Sequence, residues 1–195
     1  MKVLVVIAHP NFEKSRVNKR WIEELKKYDE ITISNLNEKY PDENIDKEAE
    51  QKLLLEHDRI VFQYPWHWYN IPAIMRKWQD LVLEYGWAFG PGGNQLNGKE
   101  YVVATSVGGP EISYQAGGYN NFTISEFLKP MQQTALLAGM KYLAPFKIHG
   151  AVSITDEKLE ESAKNYVKHI LNPELNPEVV LERLKKELKE KGIKL

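Results

Sequence analysis

The 195-residue chain contains no cysteine. This absence excludes disulfide bonds, thiolate nucleophiles and cysteine-held zinc or iron–sulfur sites, and it fits a reducing compartment such as the cytoplasm. Histidine occurs five times, without the HxxH or HxxxH spacing of a helical zinc site. The opening AHP stretch is shared with some zinc deacetylases, but Asn11 and Phe12 follow Pro10 where an acid is needed. The sequence therefore predicts no metal site.

The chain also lacks an excess of charge of either sign and lacks long apolar runs. Its 26 basic and 27 acidic residues give a net charge of −1, so nothing indicates nucleic acid as a partner. No segment approaches the roughly 18 apolar residues of a membrane-spanning helix. The apolar run at 3–8 meets Asn11 and Glu13 too early for a signal peptide. We predict a soluble, cytoplasmic protein.

What the chain does have is an alternation of apolar strands with amphipathic helices. Short apolar runs at 2–8, 31–36, 59–63, 100–106 and 147–154 predict five strands, and the runs at 2–8, 59–63 and 100–106 are nearly continuous, which is typical of parallel strands covered on both faces. The run at 31–36 alternates, which favours an edge strand. Helical patterns lie at 15–28, about 46–56, from Asn70 to about 85, at 122–138 and at 156–171, with Asp46 and Asn70 as the expected N-caps of the second and third. Pro130 is the expected interruption of the pattern at 122–138, and Gly139 is its expected end.

This alternation predicts an α/β fold of three layers, in which helices cover both faces of a five-stranded parallel sheet. Right-handed crossovers and the strand count favour the flavodoxin-like order 2-1-3-4-5. The neighbouring alternative, a Rossmann dinucleotide fold, lacks its G-x-G-x-x-G signature, because the loop after the first strand reads HPNFEKS. We predict one domain over 1–172 and a helical extension over 173–195, whose apolar stripe either docks on the domain or forms a dimer contact.

Three loops of this fold are expected at one edge of the sheet, where ligands bind. In the first loop, Ser15 begins a helix whose free N–H groups and dipole favour an anion, and His9 and Asn18 can add hydrogen bonds to a phosphate. Plain N-capping by Ser15 and packing by His9 are the alternatives at this point. In the third loop, Gly108 and Gly109 present bare N–H donors that suit a developing negative charge, although a simple Gly-Gly turn has the same sequence.

The second loop, YPWHWYNIP at 64–72, places four aromatic or imidazole rings between two prolines. A rigid wall of aromatic faces suits a flat conjugated ligand such as an isoalloxazine ring, and a hydrophobic plug or an oligomer contact is the alternative. Together the three loops offer a phosphate end, an aromatic wall and a donor edge, so the phosphate interpretation of the first loop becomes the favoured one.

Four motifs in order, AHPNFEKSRVN, QYPWHWYNIPAIMRKWQD, GWAFGPGGNQLNGK and VATSVGG, resemble the NAD(P)H:quinone oxidoreductases of the flavodoxin-like fold. The segment YPDENIDKEAEQ at 40–51 resembles the bacterial branch that serves as ancillary subunit of glutathione-regulated potassium efflux systems. The resemblance covers about 2–172. It implies a homodimeric enzyme with bound FMN, or alternatively FAD. It also implies ping-pong chemistry in which NAD(P)H delivers hydride to flavin N5 and a quinone or another small acceptor then takes it.

The resemblance also implies roles for individual residues. Tyr114 matches an active-site tyrosine of the family, and Asn120 falls where some members place a histidine, which leaves that half of a Tyr/His proton relay open. The residues implied in flavin binding are His9, Ser15, Arg16, Val17 and Asn18 for the phosphate and ribityl chain, Pro65, Trp66, His67, Trp68 and Tyr69 for the ring, and Ser106, Val107, Gly108 and Gly109 for its polar edge.

Two other functions stay open beside the enzyme. An electron-carrying flavodoxin would be expected to be strongly acidic and would not need the insertion at 114–121. A regulatory subunit that binds a membrane potassium-efflux transporter, and so lies at the inner face of the membrane, fits the bacterial branch. The departures Trp66, His67 and Val107 from the usual residues leave flavin binding intact but leave the substrate preference undefined.

Overall fold

Six parallel strands form one sheet in the computed structural model, which describes residues 1–192. Their order is β2-β1-β3-β4-β5, and β6 pairs with β4 farther along the same edge as β5. The strands are β1 Val3–Ile7, β2 Ile31–Asn35, β3 Arg59–Pro65, β4 Glu100–Ser106, β5 Lys141–Tyr142 and β6 Phe146–Ile148. The strand order and the parallel pairing confirm the predicted fold class.

Eight helices connect and cover these strands within the described residues. They are α1 Arg16–Leu25, α2 Leu36–Lys39, α3 Lys47–Glu56, α4 Ala73–Val82, α5 Ile124–Phe127, α6 Lys129–Leu137, α7 Asp156–Leu171 and α8 Pro177–Glu190. Short 3₁₀ turns occur at Phe12–Lys14, Glu111–Ser113 and Pro173–Leu175.

Two hydrophobic cores lie on opposite faces of the sheet because strand side chains alternate between faces. Val5 of β1 faces α1 and α7, where it meets Trp21 and Tyr166. Its neighbour Val6 faces the other layer, where α3, α4 and α6 contribute buried side chains that include Trp78. Each central strand is thus buried on both faces, as its continuous apolar sequence predicted.

A buried carboxylate fixes the second layer. Glu50 of α3 is fully buried and accepts hydrogen bonds from Lys39 Nζ (2.6 Å), Tyr40 OH (2.9 Å) and Trp78 Nε1 (2.8 Å). A buried charge is tolerated when it is paired and its lone pairs are satisfied. Glu50, which lies in the YPDENIDKEAEQ segment, therefore links α2, α3 and α4.

The fifth predicted strand is the main error in the element boundaries. The sequence predicted a strand at 147–154, whereas the structure has two short strands, β5 and β6, that end at Ile148. Both pair with β4, and the gap between them contains Pro145, which has no N–H for the sheet ladder. Residues 149–154 instead form a loop at the carboxyl edge of the sheet.

The start of one predicted helix also needs correction. The helix expected to begin after Asn70 begins at Ala73, and Pro72 rather than Asn70 is its N-cap residue. The pattern over 122–138, with its expected interruption at Pro130, forms two helices, α5 and α6. Pro130 lies in the first turn of the second helix, where its missing N–H costs nothing. The predicted stop at Gly139 is confirmed, since this glycine has a φ of 73°.

The C-terminal helix α8 is largely exposed. None of its residues is fully buried, although Val180 and Leu188 of its apolar stripe are half-buried, so the choice between docking on the domain and a dimer contact stays a prediction. Asn176, just before α8, donates from Nδ2 to Glu100 Oε1 at 3.0 Å, and Lys141 pairs with Glu178. The last part of the predicted extension, 193–195, lies outside the described residues.

The described residues contain neither a membrane-spanning helix nor a group of metal ligands. Over 1–192, no helix has both the length and the apolar composition needed to cross a membrane. Within the same residues, no three His, Cys, Asp or Glu side chains are grouped as a metal site would require.

Candidate functional site

An open cleft of about 350 Å³ lies at the carboxyl edge of the sheet. The loops after β1, β3, β4 and β6 all contribute to it, as the shared edge of parallel strands requires. Its lining consists of His9, Asn11, Lys14, Ser15, Arg16, Val17, Pro65, Trp66, His67, Ser106, Gly108, Ala151 and Val152. The structure therefore brings together most of the residues that the sequence predicted for a flavin.

The start of α1 forms one end of the cleft and presents donors that suit an anion. Ser15 is the N-cap, and its Oγ accepts from the backbone N–H of Asn18 at 3.1 Å. The N–H groups of Arg16 and Val17 donate to no group of the described residues, as is normal in the first turn of a helix. Because the Ser15 oxygen is used as an acceptor, its hydroxyl proton stays free to bond an anion.

A buried amide network ties this end to the rest of the cleft. Asn18 is 1% exposed, and its side chain bonds Ser15 Oγ (3.2 Å) and Ser106 Oγ (3.2 Å) while it accepts from Gln63 Nε2 (3.1 Å). Tyr166 OH donates to Gln63 Oε1 at 3.1 Å. The side chain of Asn18 thus holds the first and third loops together from beneath the cleft.

Gln63 is a site residue that the sequence analysis missed. It is fully buried in β3 at the point where the strand approaches the cleft. The signal was available, because a lone amide interrupts the apolar run RIVFQYP. A buried amide of this kind needs hydrogen-bond partners, and here Asn18 and Tyr166 provide them.

The imidazole of His9 is neutral and presents one free donor. Its Nδ1 accepts from the backbone N–H of Asn11 at 3.0 Å, so the proton of the neutral ring is on Nε2. Burial, together with the nearby imidazole of His67, lowers the pKa of His9 to about 4. A neutral donor of this kind can bond a phosphate oxygen.

The guanidinium of Arg16 points away from this arrangement. It donates from NH2 to Asp156 Oδ1 at 2.6 Å and from NH1 to the carbonyl of Ile154 at 3.1 Å, and its side chain is 53% exposed. In the structure, the backbone of Arg16 therefore faces the cleft while its side chain fastens α1 to the loop before α7.

The loop after β3 contains a strained tight turn. Trp68 and Tyr69 have φ angles of 48° and 59°, and Asn70 N–H donates back to His67 O at 3.0 Å. Consecutive positive φ angles mark a type I′ turn, which residues other than glycine, asparagine or aspartate rarely adopt. His67 and Asn70 are paired as an antiparallel bridge. The N–H groups of Trp68 and Tyr69 have no acceptor among the described residues, so this turn presents two donors.

The aromatic side chains of this loop take different positions. Trp66 is 9% exposed and stacks on Tyr64, so it lies at the base of the cleft. Trp68 is 92% exposed and does not line the cleft. Tyr69 stacks on Phe127 at 5.1 Å, also outside the cleft lining. In this structure, the predicted aromatic wall is thus formed by Trp66 and His67.

The loop after β4 supplies a smaller donor edge than predicted. Val107 N–H donates to Ile148 O at 2.9 Å and is not free for a ligand. The N–H groups of Gly108 and Gly109 have no acceptor among residues 1–192. A side chain at Gly109 would lie 3.2 Å from Tyr114 Cε2, so the absence of a side chain is what lets the tyrosine ring approach.

Tyr114 and Asn120 are not paired in the way that a relay of the two would require. Asn120 Oδ1 accepts from Tyr69 OH at 3.0 Å, and its Nδ2 donates to Ser113 Oγ at 3.0 Å. Its amide therefore braces the turn after β3 against the loop after β4. The ring beside Tyr114 is that of His149, which the sequence analysis did not select.

The residues present fit a flavin phosphate ester. Free N–H groups occur in three neighbouring loops, at Arg16 and Val17, at Trp68 and Tyr69, and at Gly108 and Gly109. Helix-start donors match a phosphate, and the other two sets match the polar edge of a conjugated ring. No carboxylate lines the cleft to repel an anion.

The chain is similar to known proteins over most of its length. The sequence family described as having a flavodoxin-like fold matches residues 1–170. The uncharacterized NAD(P)H oxidoreductase YdeQ of Bacillus subtilis strain 168 is 54% identical over 188 residues, which cover 96% of this chain and 95% of that protein. The glutathione-regulated potassium-efflux system ancillary protein KefF of Enterobacter sp. strain 638 is 38% identical over 170 residues, 87% of this chain and 96% of that protein.

Solved structures give the same overall fold. A chain named thermophilic tryptophan halogenase from Streptomycin violaceusniger is 48% identical with a TM-score of 0.85, and 87% of this chain and 98% of that chain are covered. General stress protein 14 of Treponema denticola, in complex with FMN, is 37% identical with a TM-score of 0.83 over 86% and 96% of the two chains. An NADPH-quinone reductase of P. pentosaceus is 28% identical with a TM-score of 0.81 over 88% and 99%.

Proposed function

The chain belongs to the flavodoxin-like fold family, and from this premise we propose that it is an FMN-dependent NAD(P)H:quinone oxidoreductase. The observation that carries the proposal is the set of unpaired backbone N–H groups in the loops after β1, β3 and β4, which meet at one cleft. The FMN complex of one similar protein and the NADPH-quinone reductase name of another support the cofactor and the reaction.

In the proposed site, the chain holds the two ends of the cofactor separately. The N–H groups of Arg16 and Val17, the Ser15 hydroxyl and the Nε2–H of His9 bind the phosphate. The turn at 67–69 and the Gly108–Gly109 pair bond the polar edge of the ring. When bound, the flavin supplies two-electron hydride chemistry at N5, first with NAD(P)H and then with the acceptor in ping-pong order. Tyr114 at the rim donates a hydrogen bond to the acceptor oxygen.

We favour FMN over FAD because the cleft ends at the start of α1, where a terminal phosphate fits. Mass spectrometry of the cofactor released by heat from the purified protein tests this. The expected mass is that of FMN, whereas an FAD mass would contradict the choice of cofactor.

The decisive experiment separates an enzyme from an electron carrier. Under anaerobic conditions, NADPH should bleach the flavin absorbance of the purified protein within seconds, and addition of 1,4-benzoquinone should restore it. A flavin that NADPH does not reduce without a separate reductase would instead support a flavodoxin-type carrier and contradict the proposal.

A substitution in the third loop ties this activity to the cleft. A side chain at Gly108 would lie 3.3 Å from Val152 Cγ2, and Val152 is 85% exposed and free to move. Gly108→Val should therefore fold but fill the cleft, and it should lose bound flavin. Ala144→Val, at an exposed position outside the cleft, is the control and should keep flavin. Normal flavin content in Gly108→Val would refute the site assignment.

We also propose that the protein is a homodimer and that the rim of the cleft lies in the interface. Large apolar side chains are exposed in the loops after β3, β4 and β6. They are Trp68 (92%), Tyr119 (89%), Val152 (85%), Ile112 (72%) and Phe122 (54%). Exposed apolar side chains that gather into one patch mark an association site. Light scattering after gel filtration should give twice the chain mass of 22.6 kDa, and a monomer mass would contradict the dimer.

A regulatory role is the second candidate, and the name of one relative is the observation that favours it. As a subunit of a potassium efflux system, the protein would act in the cytoplasm at the inner face of the membrane. Retention by the cytosolic domain of a transporter from the same genome would support this role, and the quinone reductase activity would remain. No retention would count against it.

The halogenase name of another similar structure points to a different reaction. No feature of the described cleft favours halogenation of an indole over hydride transfer. Incubation with NADPH, O₂, chloride and tryptophan is therefore a control that should yield no chlorotryptophan.

A further inference from the structure

His149 lies beside Tyr114 at the rim of the cleft, outside the set of residues assigned so far. The two ring centroids are 5.4 Å apart and the ring planes are inclined by 51°. We propose that His149 is a positioning residue that orients the Tyr114 hydroxyl and supplies its proton. This inference rests on the proposed quinone reductase function.

Backbone pairing fixes the place of His149. It follows β6 directly, where Ile148 pairs with Ser106 of β4. Gly150 N–H then donates to Gly109 O at 3.0 Å, and Ala151 N–H donates to Val107 O at 2.9 Å. The imidazole is therefore held against the same glycine segment that Tyr114 contacts.

Tyr114 is held from the other side of this segment. A Cβ atom at Gly109 would lie 3.2 Å from Tyr114 Cε2, so the phenol ring occupies the space that a side chain would take. Its ring also packs edge-on against Phe127 at 6.4 Å. The phenol and the imidazole are thus immobilised next to each other by independent contacts, and one water molecule can bridge them.

One nitrogen of His149 lacks the partner that its burial demands. Its Nδ1 is buried and forms no hydrogen bond within the described residues. Buried polar atoms are almost always bonded to protein or ordered water. A hydrogen bond to the Tyr114 hydroxyl, direct or through that water, would satisfy it.

The charges around the pair determine its protonation. Burial lowers the pKa of His149, the Glu111 carboxylate partly raises it, the Lys147 ammonium lowers it, and a hydrogen bond with the Gly109 backbone raises it. Lys158 lines the adjoining cavity with these three groups. Burial and the neighbouring Tyr69 raise the pKa of Tyr114. Near pH 7 the pair is therefore a neutral imidazole beside a protonated phenol, and an imidazolium forms only as the pH falls below 6.5.

The proton balance of acceptor reduction gives the pair its role. A quinone that receives one hydride becomes the hydroquinone monoanion, which needs one proton to give the hydroquinone. Tyr114 gives this proton by breaking its O–H bond. Below the pKa of His149, the resulting phenolate takes a proton from the His149 imidazolium, and the neutral imidazole is then protonated again from the solvent. Above that pKa, the solvent alone returns the proton to the phenolate, and more slowly. Asn120, whose amide is bonded to Tyr69 and Ser113, takes no part.

The test compares the two halves of the reaction in FMN-loaded wild type, His149→Gln, His149→Asn and Tyr114→Phe. In stopped flow at pH 5 to 8, wild-type oxidation by 1,4-benzoquinone should become faster as the pH falls through the His149 pKa. Both His149 variants should lose this pH dependence and react about tenfold more slowly at pH 5.5, while reduction by NADPH changes less than twofold. In the Tyr114→Phe background, His149→Gln should cause no further loss. A wild-type pH profile in the His149 variants, or additive losses in the double variant, would overturn the proposal.

A second readout does not depend on activity. In the flavin-free protein, the ¹⁵N chemical shifts of the His149 ring, assigned by difference with His149→Gln, report its pKa. Tyr114→Phe should change that pKa by removing the hydroxyl partner, and an unchanged titration curve would contradict the coupling. If NADPH fails to reduce the wild-type flavin, the proposed function fails, and this titration still decides whether the two residues are coupled.

Discussion

Single residues in the cleft owe their chemistry to what surrounds them. His9 is neutral because its ring is partly buried near His67, and its tautomer is set by the N–H of Asn11. Asn18 was predicted as a phosphate ligand, and its side chain instead joins Ser15, Ser106 and Gln63. A motif therefore predicts which residue belongs to the site. The hydrogen-bond partners of that residue in the folded chain determine which of its atoms are free to bind a ligand.

The lowered pKa of His9 predicts a pH-dependent stability. The folded protein prefers the neutral ring, because its pKa of about 4 lies below the ordinary 6.5. The stabilisation is therefore complete above pH 6.5 and is lost as the pH falls from 6.5 toward 4. His9→Gln keeps an acceptor for Asn11 and cannot titrate, so its free energy of unfolding should fall less than that of wild type between pH 7 and pH 4.5. Urea unfolding at both pH values measures this, and equal losses in the two proteins would contradict it.

Because the Trp68 ring is exposed, replacing it should weaken FMN binding without lowering the stability of the fold. Its side chain is 92% exposed, so Trp68→Ala should change the melting temperature of the flavin-free protein by less than about 2 °C. If the ring covers bound flavin, an aromatic contact of about 0.5–1.5 kcal/mol is lost, and the Kd for FMN should rise roughly 2- to 10-fold. Tyr85→Ala, at an aromatic residue that is 65% exposed and outside the cleft, is the control. An unchanged Kd for Trp68→Ala would show that only the backbone of this residue contacts the ring.

At the scale of elements, the termini of helices and strands create the site. The start of α1 provides unpaired N–H groups and a positive dipole end, and the loops after β3 and β4 provide further donors at the same edge. The interrupted fifth strand adds to this edge, because ending at Ile148 frees 149–154 to form the fourth wall. The strand boundary that the sequence predicted wrongly is thus the one that adds Ala151 and Val152 to the cleft and places His149 beside it.

The N-cap of α1 predicts two effects of one substitution. Ser15→Ala removes the acceptor for Asn18 N–H and should lower the free energy of unfolding by about 1 kcal/mol. It should also weaken FMN binding more than riboflavin binding, because only FMN carries the phosphate. Asp46→Ala is the matched control, since Asp46 caps α3 through Ala49 N–H at 2.9 Å and lies outside the cleft. Calorimetric titration should find a changed preference for FMN over riboflavin in Ser15→Ala alone.

At the scale of the whole molecule, the domain and its C-terminal extension differ in how they are held. We propose that 1–172 form the flavin-binding domain and that 173–195 are an extension. The buried Arg59 pairs with Glu100, which also accepts from Asn176, so the junction is fastened to the base of the sheet. The helix α8 beyond it buries none of its residues.

This difference predicts a contrast between deletion and point substitution. A chain ending at Glu178 should keep its FMN content and melt within about 3 °C of wild type, since no buried residue is lost. Asn176→Ala in the full chain should cost about 1–3 kcal/mol, because it removes a buried amide and leaves the partly buried Oε1 of Glu100 without that partner. Thermal melts show which variant has the lower melting temperature. A lower melting temperature in the truncated chain than in Asn176→Ala would show that α8 packs on a surface in solution.

The sequence by itself determined the α/β class and the three loops of the candidate site, and it predicted the strand order. The class and the loops follow from local patterns: continuous apolar runs for buried strands, periodic stripes and caps for helices, and glycine or proline at turns. The strand order follows from the rules for right-handed crossovers in α/β folds. The same patterns indicated Ser15 and the Gly108–Gly109 pair, because a helix start and a bare backbone are local properties.

Only the tertiary structure decided which groups meet. It paired Arg16 with Asp156, joined Asn18 to Ser106 and used the Val107 N–H in a bond to Ile148. It also placed His149 rather than Asn120 beside Tyr114. The physical reason is that these contacts join residues far apart in the chain, and their geometry depends on how strands register and loops close. Local periodicity carries no information about that closure.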